Sequence, residues 1–504
     1  MSDEEKNIQE EVEETKEEVQ EEVVEEPVQD EAPVEDAAPQ EEEAPAEEPI
    51  AEEEKVEEEA PAKKARKRKR WKDMTPQEKK KKRIKDIIIS CSVIGLVVVL
   101  ICIFAIAGFA GNKTNRKMIT KLETVGTNYT PTVDPATGYT TFTTENDAEF
   151  KVLQLTDIHI GAGAFCIQND NWAINAVAKM VQDVKPDLVI VTGDIGYPVP
   201  FQAGTFNNLR EAETFAELME QLGVYWAHVY GNHDTEAYSL YDRQQLTEKV
   251  YMKKDKYPHC LFQPGPDNIY GVGNYIVNVQ NKLGIITHTF VLVDSNMYTD
   301  GDILGMAWKY DNIHQDQIDW YKAEINRLNT LNKERYNALT ALQKAEIPQL
   351  ASRFADPNGM SIRSSMYFHI PLGEYKEVWD EYVESGYKED GANYHYNGGD
   401  GGESGKVVYC GMHDDNVFET IQELKSTTHV FCGHDHYNNF SFTYWGKNGN
   451  KETDWGVTLT YSRSIDYLAM PGIWKKYEQR GGTIITIDDA GTLTHQTRRL
   501  IDIG

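Results

Sequence analysis

Six cysteines in 504 residues are too few for a disulfide scaffold, so a small domain stapled by bridges is excluded. Cys91 and Cys102 sit in an apolar run. Cys166, Cys260, Cys410 and Cys432 are scattered, permitting one or two bridges and implying none. No glycine fingerprint for a nucleotide and no N-terminal lipidation signal narrows the substrate or the membrane attachment. The first 60 residues contain no aromatic side chain, and Ile87–Ala110 contains no charge. The first absence argues against a packed core in that stretch; the second argues against a solvated loop.

The formal net charge of −31 is unevenly spread. Residues 1–60 carry 28 acidic residues against three lysines, residues 61–86 carry 14 basic against three acidic, and the remainder carries 34 basic against 51 acidic. The acidic block is mostly Glu, Val, Pro and Ala. It cannot bury enough apolar surface to offset the entropy of ordering, so residues 1–62 read as a disordered cytoplasmic tail. Residues 63–86 form a basic segment whose Lys63–Arg70 stretch has the composition of a nuclear signal or nucleic-acid patch. Its place beside an apolar run favours topogenesis and contact with anionic lipid instead, and no nucleic-acid partner is expected.

Residues 87–110 span about 36 Å as a helix, enough to cross a hydrocarbon core of about 30 Å. The run begins too late for a signal peptide and no small-x-small cleavage site follows it. Lys79–Lys82, Arg83 and Lys85 precede it, whereas only Lys113, Arg116, Lys117 and Lys121 follow. The positive-inside rule therefore predicts a single-pass protein of the cell membrane, its amino terminus cytoplasmic and the rest extracytoplasmic. Residues 111–147, rich in Thr, Asn, Pro and Gly, read as a stalk with an edge strand at 139–144.

From residue 148 to 504 the chain reads as one α/β domain. Asp170 is expected to cap a helix with Ile174, Val177, Val181 and Val184 on its apolar face. Strands are expected at Leu188–Thr192 and Val224–Tyr230, with an amphipathic helix between them through Ala212, Phe215, Leu218 and Leu222. A long polar helix is expected within 316–351, and Gly391–Gly405, six glycines around His395, reads as a mobile loop near a site mouth.

Five segments punctuate this domain: Thr156-Asp157-Ile158-His159, Thr192-Gly193-Asp194, Tyr230-Gly231-Asn232-His233-Asp234, Phe368-His369-Ile370-Pro371 and Cys432-Gly433-His434-Asp435-His436. Nearly all follow a short apolar run, the pattern of buried strands delivering ligands from their carboxyl ends. Hard oxygens and neutral imidazoles, seven or eight in number, suit two divalent first-row ions (Mn, Fe or Zn) rather than one. The constellation makes a metal-dependent hydrolase the leading candidate.

The order D-x-H, G-D, G-N-H-D, lone His, G-H-x-H resembles the calcineurin-like metallophosphoesterase superfamily over about residues 145–490. The runs Phe150–Asp157 and Phe368–Tyr375 and the context of Gly433–His436 look like its purple-acid-phosphatase-related group. The resemblance implies an αββα sandwich, two mixed sheets flanked by helices. It also implies that Asp157, His159 and His436 ligate one ion, Asn232, His369 and His434 the other, and that Asp194 bridges both. A hydroxide shared by the ions would attack the phosphate ester of a phosphorylated substrate. His233 would stabilise the transition state and protonate the leaving oxygen, and Asp234 would orient His233. A phosphodiesterase, a pyrophosphohydrolase and a non-catalytic binding module on the same fold stay open.

Two positions depart from the group. Gly193-Asp194-Ile195-Gly196-Tyr197 matches a block whose tyrosine binds ferric iron, but those enzymes have D-x-G where His159 stands here. Tyr197 is therefore not counted as a ligand. Asn439 stands where the group carries Asp, which removes a charge near His436. Among the other histidines, His228, His259, His288 and His314 read as structural or surface residues, and His413 as a candidate for the substrate rim.

Overall fold

The computed structural model describes residues 70–503 except 301, 303, 304, 306, 404–406 and 414. The expected tail at 1–62 and residues 63–69 lie outside the described residues. The chain divides between Lys79 and Lys80. The first division contributes a short turn of helix at Trp71–Asp73 and the start of a long helix, α1 (Pro76–Ile119). Pro76 suits the first helical position, and Thr75 with Glu78 forms a reciprocal cap at 3.3 and 2.8 Å.

The uncharged run lies within α1, which is long and apolar enough to cross a membrane, and none of its most apolar window is buried. The last three turns differ. Gly108, Gly111, Asn112, Asn115 and Ile119 are buried. Asn115 donates to the Ile167 carbonyl at 3.0 Å, Asn112 meets Thr214 at 3.4 Å, and the Arg116 guanidinium grips Glu217. Residues 111–147 are therefore not the free stalk expected from their composition. Asparagines at helical spacing find partners on the domain, a signal that Thr-, Asn- and Gly-rich composition conceals.

Among the described residues, fourteen strands form two mixed sheets. In chain order they are β1 (Thr132–Val133), β2 (Thr140–Thr144), β3 (Phe150–Leu155), β4 (Leu188–Thr192), β5 (Trp226–Val229), β6 (Tyr275–Asn281) and β7 (Ile286–Leu292). They continue with β8 (Ser364–Tyr367), β9 (Tyr394–Gly398), β10 (Thr427–Cys432), β11 (Ser441–Tyr444), β12 (Val457–Tyr461), β13 (Gly481–Ile487) and β14 (Leu493–Arg499). One sheet has the order β1-β2-β6-β7-β8-β10-β12-β11-β9, the other β14-β13-β3-β4-β5. The strand expected at 139–144 is real, but it pairs parallel to β6 inside the larger sheet. Part of the expected mobile loop is β9, paired antiparallel to β11.

The facing sides of the sheets share one core, in which Phe142, Phe150 and Phe290 touch across the interface. The outer face of the smaller sheet is covered by α2 (Ile167–Val184) and α3 (Asn208–Leu222). The larger sheet is covered by α4 (Gln315–Ala338), α5 (Gly373–Glu384) and α6 (Val417–Leu424). This is the expected αββα sandwich. Asp170 does not cap α2, which starts three residues earlier. Its buried carboxylate instead accepts from Gly161 N at 2.8 Å and Ala162 N at 3.0 Å, holding the loop that follows β3. His228 and His288 are buried in the core, in keeping with structural roles.

Candidate metal centre

The parallel strands β3, β4 and β5 end within a few residues of Asp157, Asp194 and Asn232. In the other sheet the parallel neighbours β8 and β10 end just before His369 and His434. Carboxyl ends of strands from both sheets therefore converge at one edge of the sandwich. The chain turns sharply there: Asp157, His159, Asp194 and His434 all have positive φ, at 49°, 53°, 52° and 79°. Such backbone costs about 1–3 kcal/mol per residue and concentrates at functional sites.

The glycines in the motifs have a steric reason. A Cβ on Gly193, itself at φ 84°, would lie 2.6 Å from the His369 ring nitrogen. One on Gly433 would lie 1.8 Å from the Thr156 hydroxyl and 2.8 Å from the Asp157 carboxylate. Only glycine lets these segments pass close enough to bring their following residues together.

Asp157, His159 and His436 form one buried group, with donor atoms all within 4.8 Å of one another; Asp157, Asp194 and His369 form a second. Asp194 Oδ2 lies 3.8 Å from His159 Nε2 and 3.2 Å from His369 Nε2, so it reaches both groups. His434 Nδ1 and Asn232 Oδ1 lie 3.3 and 3.0 Å from His369 Nε2. All seven residues expected as ligands are thus brought together and buried.

The donors fit cations better than they fit one another. His159 Nε2 faces His436 Nε2 at 3.1 Å, two imidazole nitrogens placed where one cation could meet both. Asp194 Oδ2 and His159 Nδ1 are buried without a hydrogen-bond partner. Burial opposes charge on His369, yet Asp194 and Asp157 push its pKa up to about 9. His436, against the same desolvation, is pushed up to about 10 chiefly by Asp466. Both shifts favour positive charge where bound metal would supply it. Buried Asp and His groups here could hold metal.

Asp234 does not orient His233, as the motif resemblance implied. Its carboxylate accepts from the backbone N–H groups of Asp194 (3.1 Å), Gly196 (2.9 Å) and Gly231 (2.8 Å). It pins the two loops that carry Asp194 and Asn232. The partner of His233 Nδ1 is Glu236 at 2.7 Å. Glu236 also accepts from the Tyr298 hydroxyl at 3.2 Å, and that hydroxyl accepts from Asn232 at 3.0 Å. Burial works against protonating His233, but Asp194 and Glu236 together raise its pKa above the ordinary value.

Asp466 was also not singled out by the motifs. It follows β12, the parallel neighbour of β10, and its carboxylate lies 2.9 Å from His436 Nδ1. The sequence signal is an acidic residue shortly after an apolar strand, without any fixed spacing to His436. Asn439, by contrast, accepts from Arg463 at 3.1 Å, so the charge absent there is supplied at Asp466. Replacing Asp466 by Asn should weaken metal binding roughly 10- to 100-fold with the fold intact. A chelator-competition titration checks this, and an unchanged affinity would remove Asp466 from the account.

A cavity of about 370 Å³ opens beside these residues. His233, His434 and His436 form part of its floor. Its walls include Tyr197, Tyr238, Tyr298, Trp308, Tyr310 and Tyr409. Glu236, Glu403 and Asp435 are the acids that line it, and no lysine or arginine lines it among the described residues. The Tyr197 hydroxyl donates to Gln202 at 2.8 Å. His413 lies outside this lining, in a separate surface cleft with Tyr270 and His314.

The family model for calcineurin-like phosphoesterases matches residues 150–438. The chain is 26% identical over 313 residues to "Probable inactive purple acid phosphatase 29" of Arabidopsis thaliana, covering 58% of this chain and 68% of that one. It is 24% identical over 325 residues to "Probable inactive purple acid phosphatase 14" of the same plant, covering 60% and 69%. It is 27% identical over 318 residues to "Phosphatase DCR2" of Saccharomyces cerevisiae, covering 58% of this chain and 45% of the yeast protein. With the strand-end geometry and the matched span in agreement, the chain belongs to the calcineurin-like phosphoesterase family.

Proposed function

We propose that this chain is a membrane-anchored phosphohydrolase that works with two divalent ions. Asp157, His159 and His436 would hold one ion, Asn232, His369 and His434 the other, with Asp194 shared. The observation that carries the reading is convergence: seven buried side chains of metal-binding chemistry meet, and two of them, His434 and His436, line a cavity together with His233. When bound, a divalent pair supplies Lewis acidity toward a phosphoryl oxygen and a hydroxide nucleophile near neutral pH.

The protein's own groups do the rest. Asp194 keeps the two ligand groups in register and accepts from the His233 N–H at 2.8 Å, fixing that residue against the floor. His233, held from behind by Glu236 and raised in pKa, donates a proton toward the leaving oxygen. The aromatic walls exclude water from the leaving group.

α1 would anchor the chain, with the basic cluster before it on the cytoplasmic side. Two relatives carry the word inactive in their names, which favours a binding module as the second reading. Hydrolysis of p-nitrophenyl phosphate by the purified full-length chain in detergent separates the two. The enzyme reading expects turnover that EDTA abolishes and manganese restores. Two ions bound with no turnover of any phosphoester would establish the binding module.

A further inference from the structure

The loop after β3 and the loop after β4 place large apolar side chains in water beside the end of α1. Phe165 is 51% exposed and Phe206 is 47% exposed. Phe201 is 92% exposed at the tip of a turn in which Gln202 and Ala203 bond back to Val199, and Gly204 to Pro200. Holding phenylalanines outward on a fixed turn forfeits about 25 cal/mol per Å² of burial, a loss that marks interaction surfaces.

Depth along α1 identifies the partner. Phe104 packs edge-on against Phe165, with ring centroids 5.0 Å apart, and Gly108 abuts the Gly163–Ala164 backbone. Phe104 lies six residues before Ala110, the last residue of the uncharged run, or about 9 Å along the helix axis. A domain residue seated on Phe104 is therefore below the end of the apolar run, at the depth where interfacial side chains enter acyl chains. Phe165 N donates to Ala203 O at 3.1 Å, so the Phe201 turn is fastened to the same place. Arg210 lies over the Phe109 ring at 5.7 Å, a cation near the outer end of the run where lipid phosphates would be.

The same turn is fastened to the wall of the cavity without lining it. Gln202, next to Phe201, accepts from Tyr197 at 2.8 Å and donates to the Ala469 carbonyl at 2.8 Å, and both residues line that cavity. Phe206 packs on Tyr238, another wall residue, with centroids 6.3 Å apart. We propose that Phe165, Phe201 and Phe206 form a lipid-docking face. It seats the domain on the bilayer crossed by its own helix and presents the cavity to phosphoesters carried by membrane lipids. The inference rests on the membrane-anchored reading above.

The test uses full-length chain with Cys91, Cys102 and Cys410 changed to Ser. It is reconstituted in phosphatidylcholine vesicles and labelled with an environment-sensitive fluorophore at Phe201→Cys, Ile94→Cys or Leu342→Cys. Lipids brominated on their acyl chains should quench the labels at 201 and 94 and leave the one at 342 bright. Quenching at 94 without quenching at 201 would overturn the docking face while leaving the anchor. Quenching at neither would overturn the anchor, and the docking face with it. In the same vesicles, the double variant Phe165→Ser/Phe201→Ser should lose at least tenfold in turnover of phospholipid headgroups while keeping that of p-nitrophenyl phosphate. Equal losses on both substrates, or no phospholipid turnover by the parent chain with aryl phosphate turnover intact, would overturn the lipid-substrate half.

Discussion

Asp194→Ala should bind fewer than two ions per chain and turn over phosphoesters roughly 10³-fold more slowly or worse. The magnitude follows from losing several kcal/mol of transition-state stabilisation by a metal pair, at 1.36 kcal/mol per decade of rate. Asp194 is the carboxylate whose free oxygen lies between His159 and His369, 3.8 and 3.2 Å away. Its other oxygen accepts from the His233 N–H, so the substitution also frees the proposed acid. Asp194→Asn keeps the shape and removes the charge, which separates loss of packing from loss of ligation. Metal analysis of both variants after gel filtration is the readout. Two ions retained in either would contradict the shared role.

His233→Ala should keep both ions, because no ligand is lost. Turnover of a poor leaving group such as an alkyl phosphate should fall roughly 10²- to 10⁴-fold. An aryl phosphate, whose leaving oxygen needs little protonation, should lose much less. Glu236→Gln should show the same ordering more weakly, since Glu236 acts through the His233 ring at 2.7 Å. Equal losses on the two substrates would leave His233 only an electrostatic role, and loss of metal would make it a ligand.

The fold and the convergence of the candidate ligands were largely legible because one physical fact writes both. A buried strand must be apolar, and a ligand at its carboxyl end must interrupt that run with Asp, Asn or His. Leu188–Thr192 was read to the residue, and the αββα class followed from the motif resemblance. The partners behind the ligands were harder to read. Asp466 meets His436 only because β12 lies beside β10, a neighbour relation that no local spacing records. Asp234 and Glu236 lie two residues apart in one turn, and sequence could not say which faces His233. Adjacency to the histidine favoured the wrong one. The docking of α1 was hidden for another reason: Asn112 and Asn115 read as spacer composition until Thr214 and the Ile167 carbonyl supply their partners.

In the proposed centre seven residues hold two ions, and both are needed for hydrolysis. Titrating manganese into the chelated full-length protein, with bound metal and aryl phosphate turnover followed together, tests it most directly. Saturation is expected at two ions per chain, with most activity appearing as the second equivalent binds. Full activity at one equivalent, or turnover that persists in the chelated protein, would contradict it.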